Sequence, residues 1–164
     1  MKYWKLIKTL NFKQFISLFG IFIKFPLFVY PVLKATSSSM LIAQKEFPDI
    51  HGKSNKANAF RHALWSVLLI KELSKWSRNL DKVVWFTQKI TTWHENFSPN
   101  APLDCAMDLH NNQRGIDLAL QLLKNKVTTQ IIISFLKQQL QTSVQIASVN
   151  EIARYPQQLV YITP

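Results

Sequence analysis

Apolar residues return every three or four positions over most of the chain, the spacing that lines one face of an α-helix. The stretch from Pro48 to Asn55 reads as a loop, and Ser54 or Asn55 can cap a helix running to about Ser77. Along it Asn58, His62, Trp65, Leu69, Leu73 and Trp76 recur on one side. Asn79 or Asp81 begins a second helix with the stripe Val83, Phe86, Ile90 and His94, ending before Phe97-Ser98-Pro99-Asn100. Pro102 suits the first turn of a third, which reaches about Lys124 and carries Asp108, Asn112, Gly115, Ala119 and Leu122. A fourth spans Thr128 to about Gln141: its run Ile131-Ile132-Ile133 is β-branched, but Phe135 to Leu140 keeps the helical pattern. Upstream, Pro31 to Phe47 predicts one more helix, and Leu159-Val160-Tyr161-Ile162 reads as a short strand or an extended tail. The predicted fold is all-α, an antiparallel bundle of four to five helices.

The N-terminus follows a different pattern. MKYWKLIKTLNFKQ leads into the apolar run Phe15 to Leu33, long enough for a bilayer but broken by Pro26 and Pro31 and carrying Lys24 near its middle. A lysine at that depth costs about 2.5–3.5 kcal/mol, which disfavours a clean spanning helix. Three readings stand: an anchor on or in a membrane surface, a signal peptide without a good cleavage site after Lys34, and an apolar helix packed on the domain. The chain divides accordingly into a basic, apolar, membrane-interacting arm at 1–34 and a helical domain at 35–164. Localisation at a membrane is expected, with the cellular side open.

Composition narrows the chemistry. The 164 residues include 48% hydrophobic and 18% charged positions, enough for one folded domain with an appendage. Three glycines exclude a Walker loop and a dinucleotide fingerprint, and the single Cys105 excludes an intrachain disulfide and a cysteine-based zinc site. The net charge of +11 invites a nucleic-acid reading, but six lysines and no acid fall within residues 1–34, leaving fourteen bases against nine acids in the rest. Nucleic acid is therefore the less favoured partner, behind a membrane surface and an anionic small-molecule or lipid substrate.

Each of the three central helices carries polar residues on the stripe that should be apolar: Asn58 and His62, then His94, then Asp108 and Asn112. A buried polar group without a partner costs about 1–3 kcal/mol, so such intrusions should meet one another or a ligand. Their spacing agrees. His62 and His94 are symmetric about residue 78 and His94 and Asp108 about residue 101, both in expected turns, so antiparallel helices return all three to one level. Two imidazoles with one or two carboxylates are donors for Zn, Mn or Fe. His62, His94 and Asp108 are the candidate ligands, and Glu95 is a fourth ligand or general base. Arg61 is placed to grip an anionic substrate, with Asn58, Asn111 and Asn112 as substrate contacts or supports for the ligands. Two other readings use the same residues: metal-free acid–base catalysis of the ribonuclease kind by His62 and His94, and a satisfied buried network that fixes helix register. Trp65, Trp76 and Trp93 read as core, Gly115 as a close helix crossing or a substrate approach, and His110 as exposed or behind the ligands.

The residues Asn58-Ala59-Phe60-Arg61-His62-Ala63-Leu64-Trp65, then His94-Glu95, then Met107-Asp108-Leu109-His110-Asn111-Asn112-Gln113-Arg114-Gly115 resemble an uncharacterised bacterial domain family. Its members occur as stand-alone proteins and as C-terminal modules of Rhs-type polymorphic toxins. The resemblance covers about residues 55–115 and implies an enzymatic or membrane-damaging activity without supplying a reaction. The order His, His-acid, Asp is also similar to that of helical HD-domain phosphohydrolases, with Glu95 in place of the Asp of the dyad, an analogy of ligand logic. The expected function is metal-assisted hydrolysis of a phosphoester or other anionic ester, toxin-like and at a membrane; the rival is a non-enzymatic membrane protein whose polar layer is structural.

Overall fold

The most buried helix of the chain is the one whose apolar face carries the amides and the histidine. In a computed structural model describing residues 11–48, 54–97, 100–125 and 127–163, seven α-helices occur among the described residues. They are α1 (Phe12–Lys24), α2 (Val29–Glu46), α3 (Lys56–Leu73), α4 (Leu80–Phe97), α5 (Pro102–Leu122), α6 (Thr129–Gln141) and the short α7 (Val149–Ile152). The fold is an all-α bundle. Fifteen of the eighteen residues of α3 are buried, because α2, α4, α5 and α6 all pack on it. Its start follows from Asn55, whose side chain accepts hydrogen bonds from the Ala57 and Asn58 N–H groups at 3.0 and 3.2 Å. Thr128 caps α6 in the same way, and Pro102 opens α5.

Gly115 fixes the crossing of α3 and α5. A Cβ there would lie 2.4 Å from the Ala63 carbonyl oxygen and 2.8 Å from Ser66 Cβ, so only glycine permits this approach. The close approach sets Asn58, His62 and Ser66 of α3 opposite Asp108 and Asn112 of α5. The chain ends in a two-stranded parallel pairing of β1 (Val144–Gln145) with β2 (Val160–Tyr161), so the segment expected as a strand or tail is a strand.

The N-terminal arm departs from the boundary expected at residue 34, since α2 runs through it without a break. Its first ten residues, and much of the loop expected over 48–55, lie outside the described residues. Asn11 and Gln14 form a reciprocal capping box that starts α1, and Pro26 opens a 3-10 turn after it. Taken together, α1 and the segment Pro26–Glu46 bend by 112°, and among the described residues no single helix is long and apolar enough to cross a membrane. The inner side of α1, Leu18, Ile21 and Phe22, leans on the core. Trp93 donates to Ser17 Oγ at 3.0 Å and Gln14 to the Phe97 carbonyl at 2.9 Å, tying the arm to the end of α4. Trp65 is buried and Trp93 half-buried, but Trp76 is 46% exposed: α3 stops at Leu73, before the expected Ser77, and the turn carries Trp76 out of the core.

Candidate functional site

Side chains from three helices meet where α3, α4 and α5 converge. His62, Glu95 and Asp108 each offer a ligand atom, and the three atoms lie within 4.8 Å of one another. All three residues are nearly inaccessible, at 3, 2 and 3% exposure. His62 Nδ1 is 3.4 Å from Glu95 Oε1, and His62 Nε2 is 3.3 Å from Asp108 Oδ1. Two amides hold the carboxylates: Asn58 Nδ2 donates to Asp108 Oδ1 at 2.9 Å and Asn112 Nδ2 to Glu95 Oε1 at 3.0 Å. Ser66, unmarked by the sequence reading, donates to Asn112 Oδ1 at 3.3 Å and so orients that amide.

The level of this layer agrees with the symmetry about the two turns, but the acid neighbour of His94 takes the inward place. Adjacent residues on a helix point about 100° apart. The face of α4 that meets α3 and α5 is the one carrying Thr87, Thr91 and Glu95, all buried and four residues apart. His94 sits at the surface instead, its ring edge-on to Trp65 at 5.2 Å, and is not one of the three clustered donors. The threonines at i and i+4 before Glu95 are the signal that would have located this face. Asn111 is likewise rotated away from Asn112: its amide bonds both backbone groups of Val160, at 2.8 and 3.0 Å, and clamps β2 to α5. His110 contacts the Gln158 carbonyl at 2.9 Å, remote from the donors.

Arg61 closes the layer. Its Nη2 donates to Asn58 Oδ1 and lies 2.9 Å from His62 Nε2. A guanidinium can only donate, so Nε2 is the acceptor and the neutral imidazole carries its proton on Nδ1, toward Glu95. Burial holds His62 down to about 4, which keeps the ring neutral at physiological pH. The same burial raises Asp108 to about 6 and raises Glu95, with the opposing pull of His62 and Arg61 on Asp108 too weak to offset it. Among the described residues, His62 Nδ1 and Glu95 Oε2 are buried with no hydrogen-bond partner. Glu95 Oε2 is an orphaned acceptor that a bound cation would satisfy, and the group could hold a metal ion once His62 Nδ1 gives up its proton.

Two clefts reach this layer from outside, and Arg61 lines both. One, of about 130 Å³, is walled by Thr36, Ser39, Met40, Trp65 and His94 and ends on His62. The other, of about 240 Å³, is lined by Ser54, Asn58, Asn100, Ala101, Asp104 and Asp108 and is mostly polar. A substrate in either reaches the guanidinium, whose planar fork grips phosphate or carboxylate oxygens in pairs. Cys105 is half-buried and its thiol is pushed up by burial, so it is no activated nucleophile.

Comparison with curated proteins and with solved structures returns no match. Residues 19–144, which include the whole polar layer and the last sixteen residues of the arm, match one family, and the chain therefore belongs to the family described as Domain of unknown function (DUF6973).

Proposed function

We propose that this protein is a metal-assisted hydrolase of a phosphoester or related anionic ester, acting at a membrane surface. One observation carries the reading: three buried donors from three helices converge within 4.8 Å and leave the carboxylate oxygen Glu95 Oε2 unsatisfied beside an arginine that lines both clefts. An anionic carboxylate oxygen buried without a partner is more costly than a neutral one, which makes it the strongest of the unpaired atoms in favour of a bound cation. His62, Glu95 and Asp108 would hold Zn, Mn or Fe, which supplies Lewis-acid chemistry and a nucleophile from water near neutral pH. Arg61 binds the ester's anionic oxygens and offsets charge that grows on them as the bond breaks. Asn58 and Asn112 keep the two carboxylates oriented, and Glu95 Oε2 is free to ligate or to take a proton. The resemblance to toxin modules supports an activity that destroys its target.

The test is hydrolysis of bis-4-nitrophenyl phosphate by the full chain after chelation and reloading with Zn, Mn or Fe(II). Turnover should return with at least one ion and fall by more than about 100-fold in His62→Ala, beyond the 10–100-fold usual for residues that merely support ligands. Turnover that survives chelator would contradict the proposal. It would favour the second reading, metal-free acid–base catalysis on RNA, for which the flanking of each His62 nitrogen by a carboxylate is the supporting geometry.

A further inference from the structure

The outer side of α1 and of the 3-10 turn after it inverts the usual order of a folded protein. Phe12, Phe19, Ile23 and Leu27 are 77, 58, 65 and 64% exposed, and Phe15 and Ile16 face solvent beside them. Behind this face runs an apolar groove of about 360 Å³, walled by Phe15, Phe19, Phe22 and Ile23 of α1 and by Val29 and Leu33 of α2. The groove leads toward the candidate site. Val29 and Leu33 line it, and Thr36 and Met40 line the cleft that ends on His62, so four residues spaced 4, 3 and 4 apart carry both walls. At about 100° per residue they fall within one narrow stripe of α2. Leu33 and Thr36 are separated along the axis by only about 4.5 Å at the helical rise.

We infer that groove and cleft form one track for an acyl chain of a membrane phospholipid, which places the phosphoester at Arg61 and the headgroup in the polar cleft beyond it. The inference takes its reacting end from the hydrolase reading and names the substrate class. Charge selects the partner. Residues 1–33 contain five lysines and no acid, Lys34 being paired with Glu72 at 3.0 Å, and Lys13 and Lys24 are exposed at the two ends of α1, which suits an anionic lipid surface. A protein partner would need acidic groups spaced to match; a lipid surface supplies apolar depth and negative charge together. The exposed aromatic face then lies in the interface, and the 112° bend brings α2 and its stripe down behind it.

The test uses the full chain with phosphatidylglycerol–phosphatidylcholine vesicles containing a tracer phosphatidylglycerol whose acyl chain carries a photoactivatable diazirine, with labelled residues mapped by mass spectrometry. Label should appear both at Phe19, Ile23 or Leu33 and at Met40 or Trp65. It should fall about tenfold in the folded double variant Phe19→Glu/Ile23→Glu, as expected when two apolar side chains are withdrawn from lipid. Label confined to Phe12, Ile16 and Leu27, or no label, overturns the inference. Turnover of bis-4-nitrophenyl phosphate on the same sample separates the two ideas: turnover without cleft labelling defeats the lipid track alone, and cleft labelling without turnover defeats the hydrolase reading alone.

Discussion

The α3–α4–α5 junction and the N-terminal helix α1 break the same rule in opposite directions. At the junction charged and polar groups are buried: His62, Glu95, Asp108, Asn58 and Asn112 are each at most 4% exposed. On α1 no residue is buried and large apolar side chains face water. Both arrangements oppose folding, since desolvating a carboxylate and hydrating a phenyl ring are each unfavourable. The difference lies in what would relieve them. A cation would relieve the first and an amphiphilic surface the second, which is how the proposed function and the proposed lipid track use the two regions.

The sharpest way to break this comparison is to make one substitution in both regions. Gly115→Ala drives a methyl into the Ala63 carbonyl and should destabilise the protein by about 3 kcal/mol or more, because backbone rather than a flexible side chain is in the way. Gly20→Ala meets nothing within 4 Å on α1 and should stabilise by up to about 1 kcal/mol through helix propensity. Thermal unfolding checks both signs; equal effects would mean that the crossing is not tight.

The next effect is electrostatic. Asp108 titrates near 6 in the folded, metal-free chain against an ordinary 3.8, so the folded form binds its proton more tightly. Its contribution is fully present below pH 3.8 and is lost as pH rises through 6. Asp108→Asn removes this dependence while Asn58 keeps an oxygen acceptor to donate to. The variant should therefore match wild type near pH 4 and exceed it by about 2 kcal/mol above pH 6, measured by denaturant unfolding without metal. His62 works against this: held near 4 in wild type, it contributes stability above pH 6.5 that is lost as pH falls through 4, and since the Asp108 charge is one of the groups that raise it, the variant holds it lower still. A variant less stable than wild type at pH 7 would show that the metal-free carboxylate is not under strain.

The smallest effect is on α1. Phe12→Ser should change stability in solution by no more than about 0.5 kcal/mol, since the ring is 77% exposed. A loss of 2 kcal/mol or more would place that ring in a packed contact and remove it from the surface proposed to face lipid.

Much of this was legible in the residues. Asn55, Pro102 and Thr128 mark their helices as written, and symmetry about residues 78 and 101 finds the level at which α3, α4 and α5 bring their polar groups together. Level is a matter of counting along antiparallel helices. Azimuth is not. Val83, Phe86 and Ile90 are buried as their stripe expects, but so are Thr87, Thr91 and Glu95 one residue further round, and at the last turn tertiary packing puts Glu95 inside and His94 outside. The same ambiguity separates Asn111, which holds β2, from Asn112, which holds Glu95. The groove behind α1 had no sequence signal, because the bend at Pro26 creates it and periodicity within a helix does not report on angles between helices.

The most direct test of the account is elemental analysis of the full chain after separate exposure to Zn, Mn and Fe(II) and gel filtration, for wild type, Glu95→Gln and His94→Ala, each verified by circular dichroism. About one ion per chain is expected in wild type and in His94→Ala, and its loss from a folded Glu95→Gln, because Glu95 is one of only three protein donors in the cluster and His94 is not among them. A folded wild type that retains none of the three metals, or a Glu95→Gln variant that retains as much as wild type, would contradict it.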